Sequence, residues 1–180
     1  MSNLPVIEPA DATERAAELL DAAHKQLGAL PSMLKVMANS PALLDTYLTM
    51  SAKLATGVLP AAVRERLAIT IAQYDGCSYC LSAHTYLGGH LAKIDADELE
   101  RARFAKSEDP HTAALLALAD AVVRTKGHVE AETLSAARIN GVTNAEIAEV
   151  VGQVALNVLT NYFNVLADVE IDWPVTVSAE

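Results

Sequence analysis

The two cysteines of this sequence lie in one short stretch, GCSYCLSAH, which spans residues 76–84. Cys77 and Cys80 are three residues apart, and His84 follows four residues after the second cysteine. Residues three or four positions apart lie on one face of an α-helix, so this spacing brings two sulfurs and an imidazole together. A histidine or a helix N-terminus lowers the pKa of a thiol from its usual value of about 8.5, and Asp75–Gly76 predicts a helix start here. The pattern therefore predicts a reactive dithiol with a nearby base.

The spacing leaves open which sulfur is the nucleophile. The helix dipole favours Cys77, which is nearer to the helix N-terminus, but the effect of the dipole fades within a turn. The position of His84 favours Cys80, because a hydrogen-bonded partner can both accept the thiol proton and orient the sulfur. We therefore favour Cys80 as the nucleophile and Cys77 as the resolving thiol.

Three other uses of the cysteines compete with a redox pair. A structural zinc site usually has four ligands, whereas the motif supplies three, and the remaining histidines have no diagnostic spacing: His24, His90, His111 and His128. A disulfide between residues three apart closes a very short loop and constrains little of the unfolded chain. Two inert core thiols would not require a histidine one turn further on. We therefore favour a redox dithiol as the role of the two cysteines, and a redox-responsive or metal-binding module remains an alternative.

Composition and charge exclude several classes of function. The formal net charge is −10 and the pI is about 4.9, so nucleic-acid phosphates and anionic membrane surfaces would be repelled. The first residues lack the basic start and apolar run of a signal peptide, and no uninterrupted apolar stretch is long enough to cross a bilayer. The sequence thus predicts a soluble, cytoplasmic protein. In that compartment a CxxC pair is more often catalytic or metal-binding than structural.

The sequence around the motif contains the helix-start and helix-stop residues of an all-helical domain. Hydrophobic residues form 52% of the 180 residues and aromatic residues 4%, which favours packed helices over sheet. Capping residues, prolines and glycines predict helices at about 13–27, 31–37, 41–56, 61–74, 77–87, 97–104, 110–126, 131–139 and 143–167. We expect one all-α domain over residues 1–180, with the motif core at about 60–92. The tail at 171–174 is predicted to be extended and to pack on a neighbouring element.

The last predicted helix is nearly apolar on all sides from Val150 to Leu166. Such a helix is buried in a core or in a subunit interface, so we expect a homo-oligomer. Its polar residues share one face, at spacings of four, three and four: Asn157, Asn161, Asn164 and Asp168. This face is interpreted as a source of inter-helix hydrogen bonds at an oligomer contact. The alternative is that it lines a polar pocket near the thiols.

Glu65 lies twelve residues before Cys77, between Arg64 and Arg66. A carboxylate can tune a histidine or carry its proton. The helical spacing alone gives little support for that role, because flanking arginines more often indicate a surface ion pair.

The complete pattern Glu65-x11-Cys77-x2-Cys80-x3-His84 resembles the AhpD-like alkylhydroperoxidase branch of the carboxymuconolactone decarboxylase superfamily. The resemblance extends to LGALPSMLKVMANSPALLDTYL near the N-terminus and to the C-terminal half, so it covers nearly the whole chain. It implies an all-helical fold that assembles as trimers, or as hexamers built from dimers. It also implies that a small hydroperoxide is reduced by the CxxC pair.

The resemblance assigns a role to each residue of the motif. It implies that Cys80 is the peroxidatic thiol and that Cys77 resolves its sulfenic acid to a disulfide. It implies that His84 takes the thiol proton with assistance from Glu65, through a water. No bound cofactor or metal is implied, and the reductant is an external dithiol, either a dithiol protein or a lipoyl-type compound.

One residue departs from the family pattern. Tyr79 lies between the cysteines, where the best-studied members have a histidine, although tyrosine is common in the peroxidase-related branch. The tyrosine removes one proton carrier from the motif. The decarboxylase members lack the CxxC pair, so a carboxymuconolactone decarboxylase-like lyase is an alternative, and it predicts activity that survives the loss of both thiols.

Overall fold

A computed structural model describes residues 2–177, and that range contains nine α-helices. In chain order they are α1 (Glu14–Leu27), α2 (Ser32–Met37), α3 (Pro41–Ala55), α4 (Ala61–Asp75), α5 (Ser78–His90), α6 (Ala96–Ala102), α7 (Pro110–Thr125), α8 (Ala131–Ile139) and α9 (Asn144–Ala167). No strand occurs in residues 2–177, and the prediction of an all-α fold is confirmed.

At the starts of α3 and α7 the expected residues cap the helix, whereas Thr13 before α1 makes no side-chain capping bond. Ser40 Oγ accepts a hydrogen bond from the Leu43 N–H at 3.3 Å, and Asp109 caps α7 through the Thr112 N–H at 2.8 Å. These side chains satisfy backbone donors that have no partner within the helix. Local chemistry therefore fixes these boundaries before any tertiary packing is considered.

Helix α5 is longer than the sequence predicts. It continues through Gly88 and Gly89 to His90 instead of ending at Leu87. A Cβ atom on Gly88 would lie 2.8 Å from Cδ2 of Leu99 in α6. The glycine therefore permits a close approach of α6 to the α5 backbone, and it does not stop the helix.

Helices α4 and α5 carry the motif and pack against each other as a helical hairpin. Gly76 joins them with a φ of 70°, a left-handed conformation that glycine adopts without steric cost. Leu67 and Ile71 of α4 and Leu81 of α5 are fully buried. Each such side chain contributes roughly 1.5–3 kcal/mol on burial. The hairpin also packs against α9, so the motif is held within the core.

Helix α9 begins with a capping box, in which Thr143 Oγ1 accepts the Glu146 N–H and the Glu146 carboxylate accepts the Thr143 N–H. By length and composition alone its 24 residues could cross a membrane, although polar residues such as Gln153 and Asn157 interrupt the apolar run. Within this fold 44% of the most apolar 18-residue segment of α9 is buried. The helix packs against α3, α4, α5 and α7, which is the position of a core helix.

The two sides of α9 reverse the usual pattern of a surface helix. Its buried side is rich in polar residues: Gln153, Asn157, Thr160, Asn161 and Asn164. Its exposed side carries large apolar residues: Val151, Tyr162, Val165 and Leu166. The asparagine face points into the chain's own interior, so its interpretation as an oligomer contact is wrong. Asp168, the fourth member of that face, is exposed at the C-cap.

Residues 169–177 follow α9 without helical structure and are called here the C-terminal strap. The Asp172 carboxylate accepts hydrogen bonds from the Ser32 N–H at 2.9 Å and from Ser32 Oγ at 2.6 Å. The Thr176 N–H donates to Ser82 Oγ at 2.8 Å. The strap is therefore fastened to α2 and α5, as expected for a tail that packs on neighbouring elements.

Candidate functional site

The thiol pair lies at the N-terminus of α5. Cys77 is the N-cap residue, and its sulfur accepts the Cys80 N–H at 3.2 Å. The two sulfurs are 2.6 Å apart, and both cysteines are free. Cys77 is only 1% exposed and Cys80 only 2%. The cap therefore brings the two sulfurs into contact within the core.

The surroundings of the two thiols shift their pKa values in opposite directions. The pKa of Cys77 is lowered, because the Cys80 thiol donates a hydrogen bond to it and the backbone N–H groups at the helix start do the same. The pKa of Cys80 is raised, mainly because burial disfavours its charged form and because it holds the shared proton. The first thiolate of the pair is therefore on Cys77, as the helix N-terminus favours.

His84 and Glu65 form a pair between α5 and α4. Glu65 Oε2 lies 2.8 Å from His84 Nδ1, and each side chain is about one quarter exposed. The neighbouring arginines bind elsewhere: Arg66 contacts Glu98 at 2.9 Å, and Arg64 donates to the Leu59 carbonyl. The interpretation of Glu65 as the partner of its flanking arginines in a surface ion pair is therefore wrong.

Cys80, His84 and Glu65 line one cavity of about 340 Å³, called here the thiol chamber. Most of its wall is apolar and aromatic, with Leu27, Pro31, Met33, Leu34, Leu87 and Trp173 among its residues. The imidazole is held by Glu65, and it shares the chamber with the Cys80 sulfur. The chamber thus combines a thiol, a histidine–carboxylate pair and room for an organic molecule.

Asn164 of α9 contacts the Cys80 sulfur and also lines the thiol chamber. Its Nδ2 donates to Cys80 Sγ at 3.2 Å and to Met33 Sδ at 3.3 Å. Because a thioether sulfur can only accept, the Met33 contact fixes the orientation of the amide. The Nδ2–H group favours negative charge on Cys80 and opposes the effect of burial.

Tyr79 fastens the C-terminal strap over the thiols. Its hydroxyl donates to Asp172 at 2.8 Å and accepts the Met33 N–H at 3.2 Å, and its ring packs edge-on against Trp173 with centroids 5.3 Å apart. Burial raises the pKa of Tyr79. It is therefore a structural anchor and is poorly suited to carry a proton. The sequence predicted that the tail at 171–174 packs on a neighbouring element, but it did not indicate that Asp172 and Trp173 lie at the thiol site.

Two further cavities adjoin the site. The first, of about 180 Å³, lies beyond His84 and Glu65 and includes Tyr47 and Gln153. Burial raises the pKa of Tyr47 to about 12, so its hydroxyl remains protonated. The second, of about 230 Å³, is lined by Cys77 and includes Gly76, Ser78, Val165 and Asp168.

Within residues 2–177, no three His, Cys, Asp or Glu side chains are grouped so that they could hold a metal ion. His84 has Glu65 as its partner, and the Cys80 sulfur has Cys77 and Asn164. The zinc alternative therefore lacks a set of ligands in the part of the chain that the structure describes.

The sequence around the motif and the fold of the chain can both be compared with known proteins. Residues 41–100, which include the whole motif, match the model of the carboxymuconolactone decarboxylase family. The crystal structure of an alkylhydroperoxidase AhpD core, a peroxidase-related protein from Ralstonia eutropha JMP134, superposes with a TM-score of 0.84. Over residues 41–100 the chain is therefore similar to the carboxymuconolactone decarboxylase family, and its fold is AhpD-like. The Ralstonia protein is 19% identical, and the match covers 95% of this chain and 92% of that one.

Two other solved structures of AhpD-like form extend the comparison. A peroxidase-related protein from Silicibacter sp. TM1040 is 20% identical over 93% of this chain and 89% of its own, with a TM-score of 0.79. The debrominase Bmp8, in complex with 2,3,4-tribromopyrrole, is 18% identical over 96% of this chain and 92% of its own, with a TM-score of 0.76. No curated protein matches the chain significantly. At these identities the structural likeness establishes the fold, and the chemistry has to be argued from the site.

Proposed function

We propose that this protein is a thiol peroxidase that reduces organic hydroperoxides and is itself reduced by an external dithiol. The supporting observation is the position of Cys80, which shares the thiol chamber with His84 and Glu65 and is in contact with Cys77. A peroxidase of this kind needs a reactive sulfur, a group that handles the proton and a second sulfur within reach. All three are present within about two turns at the start of α5 and on its neighbour α4.

The first chemical step oxidises Cys80. His84, paired with Glu65, takes one proton from the thiol pair, through a bridging water. The remaining proton moves across the 2.6 Å contact from Cys80 to Cys77, which leaves a thiolate on Cys80. That thiolate attacks the terminal oxygen of ROOH, the O–O bond breaks, and Cys80 becomes a sulfenic acid. Protonated His84 then returns its proton to the departing alkoxide, which leaves as ROH.

The second step forms the disulfide. The Cys77 sulfur attacks the Cys80 sulfenic acid, and its proton leaves with the hydroxyl group as water. The two steps together convert two thiols and ROOH into a disulfide, ROH and water. A dithiol reductant then restores both thiols by exchange and becomes a disulfide itself. A cytoplasmic location fits this cycle, because thiols remain mostly reduced there.

The wall of the chamber favours an organic hydroperoxide over hydrogen peroxide. Its residues are mainly aliphatic and aromatic, and a volume of about 340 Å³ accepts an alkyl or aryl group beside the peroxide. Burial of that group contributes binding free energy in proportion to its apolar area. Hydrogen peroxide offers no such area.

The direct test is the turnover of cumene hydroperoxide with dihydrolipoamide as reductant. We expect the wild-type protein to consume the hydroperoxide and Cys80→Ser to lose at least about 10³-fold in rate. Cys77→Ser is the matched variant: it should oxidise once, at Cys80, and then stop. Equal turnover by wild type and Cys80→Ser would contradict the proposal, and activity without either thiol would favour a lyase.

A second candidate activity is reductive dehalogenation of an aromatic compound. The apolar chamber with Trp173 at its wall would accept a halogenated ring, and Bmp8, a protein of the same fold, is a debrominase. The electron balance is the same, because two thiols become a disulfide while a carbon–bromine bond is replaced by a carbon–hydrogen bond. Bromide release from 2,3,4-tribromopyrrole that is absent in Cys80→Ser, together with no consumption of hydroperoxide, would favour this candidate.

The apolar side of α9 supports a homo-oligomer, a trimer or a hexamer. Val151, Tyr162, Val165 and Leu166 are each more than half exposed. Burial of such a side against another copy would remove a large apolar surface from water. Sedimentation at micromolar concentration should give a mass of several chains, and a monomer would contradict this assignment.

A further inference from the structure

The cavity of about 180 Å³ beyond His84 and Glu65 is called here the Arg64 pocket. It adjoins the thiol chamber, because both cavities are lined by the same residues of α3, α4, α5 and α9: Tyr47, Ser51, Glu65, His84 and Thr160. No residue of the exposed apolar side of α9 is among the described residues that line it. A molecule bound in the chamber therefore has a polar compartment next to it, on a side of the protein that the proposed oligomer contact does not use.

We propose that the Arg64 pocket binds a carboxylate group of the substrate, so that the preferred hydroperoxides are those of small carboxylic acids. The inference rests on the proposed peroxidase function and defines its substrate class more narrowly. The apolar body of the substrate occupies the thiol chamber with its peroxide at Cys80, and its carboxylate lies beyond His84, against Arg64 and Gln153.

Arg64 is a partly buried cation that has no anion of the chain beside it. Its Nη1 donates to the Leu59 carbonyl, and no carboxylate of residues 2–177 lies within ion-pair distance of its guanidinium. The other arginines either are exposed, as is Arg138, or form ion pairs: Arg15, Arg66, Arg101, Arg103 and Arg124. The planar fork of a guanidinium matches the two oxygens of a carboxylate, which makes a carboxylate the natural partner for Arg64.

Gln153 supplies a second, independent indication of a ligand in the pocket. It is only 3% exposed, it lines the pocket, and its Nε2 has no hydrogen-bond partner among the described residues. A buried donor without an acceptor is costly, and a carboxylate oxygen is an acceptor that suits it. Arg64 lies on α4 and Gln153 on α9, so the two donors approach the pocket from different helices.

The other ionisable groups at the pocket leave the position beside Arg64 to a ligand. Glu65 is the one carboxylate among the described residues that line the pocket, and its Oε2 is engaged by His84 Nδ1 at 2.8 Å. Burial raises the pKa of Tyr47 to about 12, so its hydroxyl is a neutral donor and not an anion. The chain therefore supplies donors to this position and no negative charge that would occupy it.

Binding can be measured without turnover, which separates the pocket from the peroxidase reaction. The probe is 4-isopropylbenzoate, which has an apolar ring and a carboxylate but no peroxide, and 4-isopropylbenzamide is its uncharged match. Isothermal titration calorimetry of the wild-type protein should show that the benzoate binds at least about tenfold more tightly than the benzamide. Arg64→Gln should abolish this preference. Arg138→Gln, the same substitution on an exposed arginine outside the pocket, should retain it.

Three calorimetric results would overturn the proposal. They are no binding of the benzoate, equal affinity of the wild-type protein for the two compounds, and a preference for the benzoate that survives in Arg64→Gln. An equal loss of preference in Arg138→Gln would also overturn it, because the effect would then belong to the overall charge of the protein.

The same preference is expected in turnover. The substrates are 4-(2-hydroperoxypropan-2-yl)benzoate and the corresponding benzamide, which share the ring and the peroxide. We expect kcat/KM of the wild-type protein to be at least about tenfold higher for the benzoate, and this ratio should fall to about one in Arg64→Gln. The loss should lie in KM, because the carboxylate is bound alike in the ground state and the transition state. An unchanged ratio would overturn the proposal. A protein that binds 4-isopropylbenzoate as expected but consumes neither hydroperoxide would refute the proposed function and support the pocket.

Gln153→Leu tests the second contact and does not depend on the folding of the Arg64 variant. Leucine keeps most of the volume and removes a donor that has no partner without the ligand, so the melting temperature of the ligand-free protein should not fall. The affinity for 4-isopropylbenzoate should fall about three- to tenfold. Gln26→Leu, the same substitution on an exposed residue of α1, is the control and should leave the affinity unchanged. An unchanged affinity in Gln153→Leu would contradict the assignment of Gln153 to the ligand.

Discussion

The two ends of the thiol pair differ in almost every physical property. At one end Cys77 caps a helix, has a lowered pKa and faces a small opening with an acidic rim. At the other end Cys80 has a raised pKa and faces a larger apolar chamber that contains a histidine–carboxylate pair. Ionisation is therefore favoured on one sulfur and access for an organic substrate on the other. The contact between the sulfurs reconciles the two, because a proton can pass directly between them.

The largest effect is expected where the Cys80 end loses its proton carrier. His84→Gln and Glu65→Gln should lower the rate of thiol oxidation by hydroperoxide by about 10²-fold or more, with the larger loss for His84. Reduction of the oxidised protein by dihydrolipoamide should change little. Stopped-flow measurement of each half-reaction provides the test. Glu98→Gln removes a carboxylate that pairs with Arg66 away from the chamber and serves as the control. Equal losses in both half-reactions would mean that the two ends do not act separately.

A smaller effect is expected at Asn164, which touches both ends. Asn164→Leu keeps the volume but removes the donor to Cys80 Sγ, and the loss of a hydrogen bond to a developing charge costs about tenfold in rate. Oxidation by hydroperoxide should slow, since Cys80 is the attacking thiolate in that step. Asn157→Leu, on the same buried face but away from the sulfurs, is the control for packing. A rate of oxidation equal to that of the wild type would contradict this role of Asn164.

The smallest effect concerns the order in which the reduced thiols react with iodoacetamide. Because the pKa of Cys77 is lowered, its thiolate is present at a pH below the usual value of about 8.5 and disappears only as the pH falls through the lowered pKa. Cys80 remains protonated over that range. Peptide mass spectrometry at neutral pH should therefore find Cys77 modified first. Faster modification of Cys80 would mean that the lower pKa belongs to the chamber end.

The sequence predicts the helices well because local chemistry defines their ends. Ser40, Asp109 and the Thr143–Glu146 box cap their helices as expected. The failure at Gly88 has a tertiary cause, since the side chain of Leu99 determines the role of that glycine and lies outside any local pattern. The prediction of a shared helical face for the motif was nearly correct, although Cys77 is the cap and not part of the helix.

The site could be predicted only in part. The spacing brought Cys77, Cys80 and His84 together, but Glu65 gained support only from the family resemblance, because its partner lies on another helix. The spacing of three and four residues showed that the asparagines share one face of α9. The sequence could not show which face is buried, because the helix is apolar almost all round. The anchoring of the strap by Tyr79 depends on a contact across 93 residues, which no local signal encodes.

The account depends most on Cys80 being the sulfur that meets the hydroperoxide, despite the lower pKa of Cys77. Mass spectrometry of Cys77→Ser and of Cys80→Ser, each treated with one equivalent of cumene hydroperoxide in the presence of dimedone, measures this directly. The account predicts a stoichiometric dimedone adduct on Cys80 of the first variant and little or none on Cys77 of the second. An adduct that forms faster on Cys77, or none on either sulfur, would contradict it.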